Sequence, residues 1–216
     1  MKKLLFFISF ALFFATESSA QIIQTKELAE YANKNYGKNW IEAADNISSN
    51  IQLDKNNGLT FVEIIEAPQK SKDNLYMLLN YWFTASFNDA NSTIQLNDKD
   101  AGTIIAKGIC KDIAFVSNGP RDFRISSKVI IKCDIKEGKI RVTFTVPYYS
   151  VVRRMGTDFS NEKWMIDASY PFNPKGGHKK ASSKAFIMSY AYSQVLLDKI
   201  EECIKNGLTG NEDDNW

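Results

Sequence analysis

Residues 131–146 read IKCDIKEGKIRVTFTV and predict a β-hairpin that sets the register of the surrounding sheet. Glu137 and Gly138 form a two-residue turn with glycine second, which is typical of a tight, primed hairpin. In this turn Lys136 pairs with Lys139, and the pairing continues outward along both strands. The expected cross-strand neighbours are Ile135 with Ile140, Asp134 with Arg141, Cys133 with Val142, Ile131 with Phe144 and Val129 with Val146.

Alternation along the hairpin assigns one face to the core and leaves the other face open. Because a one-residue slip would bury Arg141 and expose Phe144, the pattern specifies this register strongly. The polar side chains of the open face, together with a lysine from the preceding strand, are a candidate ligand-binding surface. We call them the open-face residues: Lys107, Lys132, Asp134, Arg141, Thr143 and Thr145. The alternative is that this face is only solvated, or is covered by another part of the chain.

Patterning of apolar residues predicts the other elements. They are a helical stretch Lys26–Ser48, one helix or two because residues 35–39 interrupt it; a strand Leu59–Ala67; a helix Lys72–Phe87 capped by Ser71; strands Thr93–Asn97, Thr103–Cys110 and Lys111–Ser117; and a helix Ser183–Asn206 ended by Gly207. Asp54–Gly58 resembles part of a calcium loop, but Ile65 stands where the bidentate glutamate belongs, so we expect a turn.

The stretch from about 148 to 180 lacks a clear period and is interpreted as an insertion in the domain. A strand at Lys163–Tyr170 is an option, and Pro171–Gly177 is expected to be a loop. Long connections are often functional, and this one is rich in contact-prone residues. The candidate partner-binding residues are Arg153, Arg154, Trp164, Tyr170 and Phe172. Equally, the stretch could simply cover an apolar edge of the sheet.

The first twenty residues predict a secretory signal peptide: a basic start, an apolar run Leu4–Ala15, and small residues at Ser18 and Ala20. The run is too short to cross a bilayer, so we expect no stable membrane span after cleavage. The predicted organisation is a signal peptide at 1–20, an N-terminal helical segment at 21–53, an α+β domain at 54–207 with the insertion at about 148–180, and an acidic tail at 208–216.

The composition argues against several classes of function. A formal net charge of +2 lacks the basic excess of a nucleic-acid-binding protein, so no nucleic-acid partner is expected. The single histidine, His178, lies in a loop-like stretch, and no catalytic or metal-binding motif is present, so we predict no catalytic residues, no metal and no cofactor. Cys110, Cys133 and Cys203 fit buried apolar positions, although one disulfide with a thiol left over is also compatible with export.

Pairs of carboxylates leave a hydrolase open as an alternative. Asp98 and Asp100 fall in a turn, where aspartate serves turn geometry, and Glu63 and Glu66 lie on an apolar strand. Neither pair is specific. A carboxylate hydrolase would require a pocket with two carboxyl groups, at least one of them with a raised pKa.

Residues 54–151 resemble a domain of unknown function found in many exported proteins of Gram-negative gut and oral bacteria. The resemblance rests on LYMLLNYWFTASFNDANSTIQLNDKDAGTIIAKG at Leu75–Gly108 and on IKCDIKEGKIRVTFTV at Ile131–Val146. It implies a fold like that of the TATA-binding protein (TBP-like): strand, helix, four strands, helix. It also implies an exported protein of a Gram-negative bacterium, periplasmic, extracellular or on the cell surface, but no catalytic motif.

The expected fold is therefore α+β, with helices packed on one face of a curved antiparallel sheet and a helical segment in front. The expected function is a non-enzymatic binding or interaction module of the cell envelope, with an envelope protein or a cell-surface glycan as partner. A carboxylate-dependent hydrolase and a purely structural envelope domain are the alternatives.

Overall fold

The computed structural model of the protein describes residues 25–87 and 93–207. The predicted signal peptide at 1–20 and the predicted acidic tail at 208–216 lie outside these ranges, and both stay predictions. The helices are α1 Thr25–Tyr36, α2 Trp40–Ser48, α3 Lys72–Ser86 and α4 Lys179–Asn206. The strands are β1 Leu59–Glu66, β2 Ile94–Asp98, β3 Thr103–Asn118, β4 Arg121–Lys136, β5 Lys139–Val146, β6 Tyr148–Met155 and β7 Asp158–Met165.

The seven strands form one open, antiparallel, curved sheet, and the predicted α+β class is confirmed. The main path of the sheet is β1-β5-β4-β3-β2. The 16-residue strand β4 is long enough for two partners on one side. Its second half, from Ile130 to Lys136, pairs with β5, whereas its first half, from Arg121 to Ser127, pairs with β6. Strand β7 then pairs with β6.

The predicted hairpin is confirmed. Lys136 pairs with Lys139 across a turn in which Gly138 has a φ of +70°, a value that glycine adopts without strain. The paired ladder continues to Ile130 and Thr145 in the predicted register. The expected core positions of both strands are buried: Val129, Ile131, Cys133, Ile135, Ile140, Val142, Phe144 and Val146.

The stretch after Pro147 is not a loose insertion, which corrects the sequence interpretation. Residues 148–165 form a hairpin that extends the sheet, and the optional strand at Lys163–Tyr170 overlaps β7 by only three residues. The register explains the error. On β5 the buried residues have even numbers up to Val146, but on β6 they are Tyr149 and Val151. Strands β5 and β6 both pair with β4, and Pro147 adds one extra residue between them. The alternation of buried and exposed residues therefore changes from even to odd numbers at Pro147.

Two β-bulges interrupt the ladders of β3. Between Ile94 and Leu96 the pairing of β2 with β3 shifts by one residue, so these two side chains do not share a face as they would in a regular strand. Leu96 is consequently exposed, whereas Ile94 packs on the core. The two predicted strands at Thr103–Cys110 and Lys111–Ser117 are one strand, with a bulge between Cys110 and Ala114.

Helices α3 and α4 cover one face of the sheet, and α1 and α2 pack on α4. Ser71 caps α3 as predicted, its Oγ accepting from Asn74 N at 3.2 Å. The interruption at residues 35–39 separates two helices. Helix α4 begins four residues earlier than predicted, at Lys179. Ser189 Oγ of this helix lies 2.8 Å from Ser127 Oγ of β4. Three further serines of the helix are buried: Ser182, Ser183 and Ser193.

The three cysteines are free and buried. Burial raises the pKa of Cys110 and of Cys133 to about 12, so both remain neutral thiols that pack as small apolar groups.

The Asp54–Gly58 stretch is a turn, in which Asp54 Oδ1 accepts from Asn56 N at 2.8 Å and from Gly58 N at 2.9 Å. None of the helices at 25–87 and 93–207 has the length and apolar character needed to cross a membrane.

Candidate functional site

All six open-face residues lie on the side of the sheet opposite the helices. Lys107 comes from β3, Lys132 and Asp134 come from β4, and Arg141, Thr143 and Thr145 come from β5. The register places Arg141 opposite Asp134 and Thr143 opposite Lys132. Lys107 lies one strand further, opposite Ile130. The structure thus brings the predicted residues together on three adjacent strands.

Asp134 is the centre of a charged network. Its Oδ2 accepts from Arg141 NH2 at 2.7 Å and from Arg141 Nε at 3.2 Å, and its Oδ1 lies 2.8 Å from Lys132 Nζ. Thr103 Oγ1 adds a donor at 3.3 Å. Partial burial opposes ionisation of Asp134, but the hydrogen bonds and charges of Lys132 and Arg141 outweigh it and hold its pKa below the ordinary value. One carboxylate therefore neutralises only one of two cations.

Two further lysines extend this network to the hairpin end of the sheet. Lys136 and Lys139 lie directly opposite each other, and Glu66 is the β1 neighbour of Lys139. Within residues 25–87 and 93–207, neither lysine ammonium group has a carboxylate within 4 Å. We call Lys132, Asp134, Lys136, Lys139 and Arg141 the basic corner. The hairpin register predicted that Lys136 lies opposite Lys139, but the pair was not among the predicted site residues, although facing like charges destabilise a sheet.

The basic corner is concave. A cavity of about 190 Å³ is lined by Ile64, Asp134, Lys136, Lys139 and Arg141. A neighbouring cavity of about 450 Å³ continues over the hairpin toward Lys72 at the start of α3. Lys72 is held there because its Nζ donates to Asp100 O at 2.7 Å and its backbone N donates to Glu137 Oε2 at 2.9 Å. These cavities can accept an anionic group that several cations approach from different sides.

Hydroxyl groups line the other end of the predicted surface. Thr145 Oγ1 lies 3.0 Å from Thr60 Oγ1, which in turn donates to Asp54 Oδ2 at 2.9 Å. Hydrogen bonds from the backbone of Gly58 and Asn56 and from Thr60 lower the pKa of Asp54, although burial acts in the opposite direction. Ionised Asp54 orients these hydroxyls, so Thr143 and Thr145 continue the charged corner as a neutral, hydrogen-bonding surface.

Two arginines at the far end of the same face, beside β6, each have an aspartate partner. Arg124 pairs with Asp112 at 3.3 Å, and Arg154 pairs with Asp122. A hydrogen bond from Ser117 and the charge of Arg154 lower the pKa of Asp122. Apolar side chains are exposed between these pairs: Phe115, Val152, Phe159 and Met165.

The five residues proposed for partner binding do not form one surface. Arg153 and Trp164 share Glu162, with Arg153 Nε at 2.9 Å from Oε1 and Trp164 Nε1 donating to Oε2 at 2.8 Å. Arg154 points to the opposite face. Tyr170 is buried and its hydroxyl donates to Asp45, whereas Phe172 packs edge-on against Phe186. These contacts give each side chain a role in the fold, and their assignment to a partner stays a prediction.

The residues considered for catalysis are also separated. His178 precedes α4 and stacks on Trp164 at 5.3 Å between ring centroids, so it is not the free loop residue that the sequence suggested. Glu63 and Glu66 lie on opposite faces of β1, because they are three residues apart in a strand. Asp98 Oδ1 accepts from Ala101 N at 2.8 Å and shapes a turn.

Residues 61–150 match the family model described as a domain of unknown function (DUF4468) with a TBP-like fold. This part of the chain is similar to a DUF4468 domain. The predicted resemblance is confirmed, and all six open-face residues fall inside the matched stretch, whereas the five partner-binding candidates follow it in the chain.

The fold of the chain is similar to that of a solved TBP-like structure. A TBP-like protein from Parabacteroides distasonis is 13% identical and has a TM-score of 0.53. The match covers 70% of this chain and 96% of that protein. A DUF4468 family protein from Bacteroides ovatus is 16% identical and has a TM-score of 0.46. The match covers 69% of this chain and 88% of that protein. No curated protein matches the chain in sequence.

Proposed function

We propose that this protein is an exported, non-enzymatic binding module of the cell envelope whose basic corner binds an acidic group of a partner protein or of a cell-surface glycan. One observation carries the proposal. Lys136 and Lys139 face each other on adjacent strands, and neither has an ion-pair partner in the described part of the chain.

The energetics of this pair favour a ligand. Two like charges directly opposite each other cost a sheet roughly 0.2–1 kcal/mol, and Arg141 adds a third cation on the same strand as Lys139. A carboxylate or phosphate group in the cavity would neutralise the excess charge. Because the corner is partly enclosed, such a contact is screened less by water than one on a flat surface.

The neighbouring side chains fit a larger acidic ligand. Thr143, Thr145 and Lys107 continue from the corner across the open face, where they can hydrogen-bond to sugar hydroxyls or to a peptide backbone. A surface of this kind orients a ligand through one charged anchor and several neutral contacts. The amino-terminal twenty residues supply the support for export.

Binding can be tested with defined acidic and neutral probes. The protein, expressed with its own leader and purified after export, is titrated by calorimetry with an oligogalacturonate, with a neutral oligosaccharide of equal length, and with a decapeptide rich in glutamate. We expect one acidic probe to bind and the neutral one not to bind. When the free probe is present at about 100 times its Kd, binding stabilises the folded state by about 2.7 kcal/mol. A thermal-shift measurement detects this stabilisation independently.

Charge reversal at the corner separates specific binding from general attraction. We expect Lys136→Glu combined with Lys139→Glu to abolish acidic binding without loss of folding. The matched control is Lys34→Glu with Lys38→Glu, two exposed lysines at the end of α1 on the helical side of the molecule. Equal loss of binding in both double variants would contradict the assignment of the site.

A further inference from the structure

A second surface of the molecule lies along β1, the edge strand that pairs with β5. Strand β1 ends the sheet, and no strand among the described residues pairs with its outer edge. Val62 and Ile64 on this strand are 59% and 57% exposed. An exposed edge with apolar side chains is a template for the addition of another strand.

The hydrogen-bonding groups of this edge can be assigned from the register. In a two-residue hairpin the flanking residues, here Lys136 and Lys139, form a hydrogen-bonded pair. The backbone groups of odd-numbered β5 residues therefore face β4, and those of even-numbered residues face β1. Odd-numbered residues of β1 bond to β5, in agreement with the 2.7 Å bond from Ala67 N to Gly138 O just beyond the strand. The N–H and C=O groups of Val62 and Ile64 thus point away from the sheet.

A groove of about 390 Å³ runs beside this edge, between β1, α4 and the end of α2. Phe61 and Tyr190 form its inner wall, with ring centroids 5.3 Å apart. Further apolar lining comes from Ile47, Ile51 and Leu197. A strand added to β1 would alternate its side chains between this groove and the open face beside Val62 and Ile64.

On the groove side, the charge of the edge is negative. Glu63 projects on the groove side, and burial together with the nearby carboxylates of Glu201 and Asp198 raises its pKa. Lys205 pairs with Glu201 at 2.6 Å, and Lys199 pairs with Glu27 at 3.7 Å, so neither lysine compensates Glu63 or Asp198. Within the described ranges those two carboxylates form no ion pair. The groove therefore favours a cation.

We propose that the outer edge of β1 binds an extended peptide segment of a partner protein by strand addition, with apolar side chains over Val62 and Ile64 and a lysine or arginine beside Glu63. Backbone hydrogen bonds along the edge provide affinity, and the two kinds of side-chain contact select the sequence. This site adjoins the basic corner, because Ile64 also lines the cavity there, but strand addition does not depend on the acidic ligand proposed above.

A second copy of the chain fits this edge less well. In the antiparallel pairing that places Val62 against Ile64 of the other copy, each Glu63 lies opposite Glu63 of its partner. Facing like charges destabilise a pair of strands, and Asp198 adds to the repulsion on each side. The negative charge thus favours a cationic peptide over self-association.

Peptides of alternating residues test the proposal directly. The purified protein is titrated with a blocked heptapeptide of alternating valine and lysine, and with a matched peptide of alternating valine and glutamate. We expect the lysine peptide to bind at least about tenfold more tightly, since like-charge contacts across an interface cost several kcal/mol. Absence of binding, or equal binding of the two peptides, overturns the proposal. So does a concentration-dependent dimer that Glu63→Lys abolishes in sedimentation.

Two variants check the mechanism of binding. Glu63→Lys should reverse the preference between the peptides, whereas Asp158→Lys, at the distant tip of the β6–β7 hairpin, should leave it unchanged. Ile64→Pro removes a backbone N–H that points outward and forms no hydrogen bond within the sheet. An edge strand tolerates proline at such a position. We expect this variant to fold and to lose the peptide, and Ile64→Thr, which keeps the amide, to retain part of the affinity. Unchanged binding by Ile64→Pro would contradict strand addition.

Discussion

The two halves of β4 carry similar side chains on the open face but compensate their charges differently. Beside β6, Arg124 and Arg154 each have an aspartate of their own. Beside β5, Asp134 serves both Lys132 and Arg141, and Lys136 and Lys139 have no acidic partner in residues 25–87 and 93–207. The arginines at one end of the sheet are therefore neutralised within the fold, whereas the other end holds an excess positive charge that an added ligand can neutralise.

The largest difference between the two ends should be in stability. Phe144 of β5 is fully buried on the core side of the sheet, whereas Phe159 at the far end is 71% exposed. We expect Phe144→Ala to lower the free energy of unfolding by about 3–5 kcal/mol, because it leaves a cavity in the core. Phe159→Ala should change it by less than about 0.5 kcal/mol. Urea unfolding measures both, and similar values would contradict the assignment of the two faces.

The central carboxylate of the corner should have a smaller effect that depends on pH. We expect Asp134→Asn to lower the free energy of unfolding by about 1 kcal/mol at pH 7, since it weakens charge-assisted bonds that are partly in contact with water. The pKa of Asp134 is lowered in the folded state, so this contribution is present above the unfolded pKa of about 3.9 and is lost as the pH falls through the folded value.

The measurement is urea unfolding of both proteins at a series of pH values from neutral to acidic. The difference between the two proteins should shrink below about pH 4. A difference that stays constant with pH would show that Asp134 acts through its shape and not through its charge.

The smallest effect distinguishes function from folding. We expect Lys136→Glu to raise the free energy of unfolding by about 0.2–1 kcal/mol, because it replaces a repulsive pair with Lys139 by an attractive one. The same change should abolish binding of the acidic probe. A gain of stability with a loss of binding is expected for a residue kept for its ligand. Loss of stability would instead indicate a structural role for Lys136.

Local patterns predicted the half of the sheet that contains the basic corner. The turn at Glu137 and Gly138 specifies one register, and the alternation from Val129 to Val146 agrees with it at every position. The β6–β7 hairpin was missed because Val146 and Tyr149 are both buried yet three residues apart, and no strand of constant phase contains both. The exposure of Leu96 follows from a bulge that the pattern did not indicate.

The candidate site was predictable to a similar degree. Register alone brought Asp134, Arg141 and Lys132 together, because their places in a hairpin depend only on the turn. Whether the charge of Lys136 is compensated depends on which carboxylates from distant segments of the chain come close to it. The residues next to Lys136 in the sequence do not determine this. The groove beside Glu63 was missed for the same reason, since α4 contributes Asp198 and Glu201 from more than 130 positions away.

The extra residue at Pro147 has a consequence for how chains of this kind can change in length. If one residue were removed there, the alternation of buried and exposed side chains would continue unchanged from β5 into β6. Tyr149 and Val151 would then turn to the open face, and every later side chain of the β6–β7 hairpin would also change face. Insertions at the tips of the β3–β4 and β6–β7 hairpins reverse nothing. Variation in length among natural relatives should therefore collect at residues 119–120 and 156–157 and be absent at Pro147.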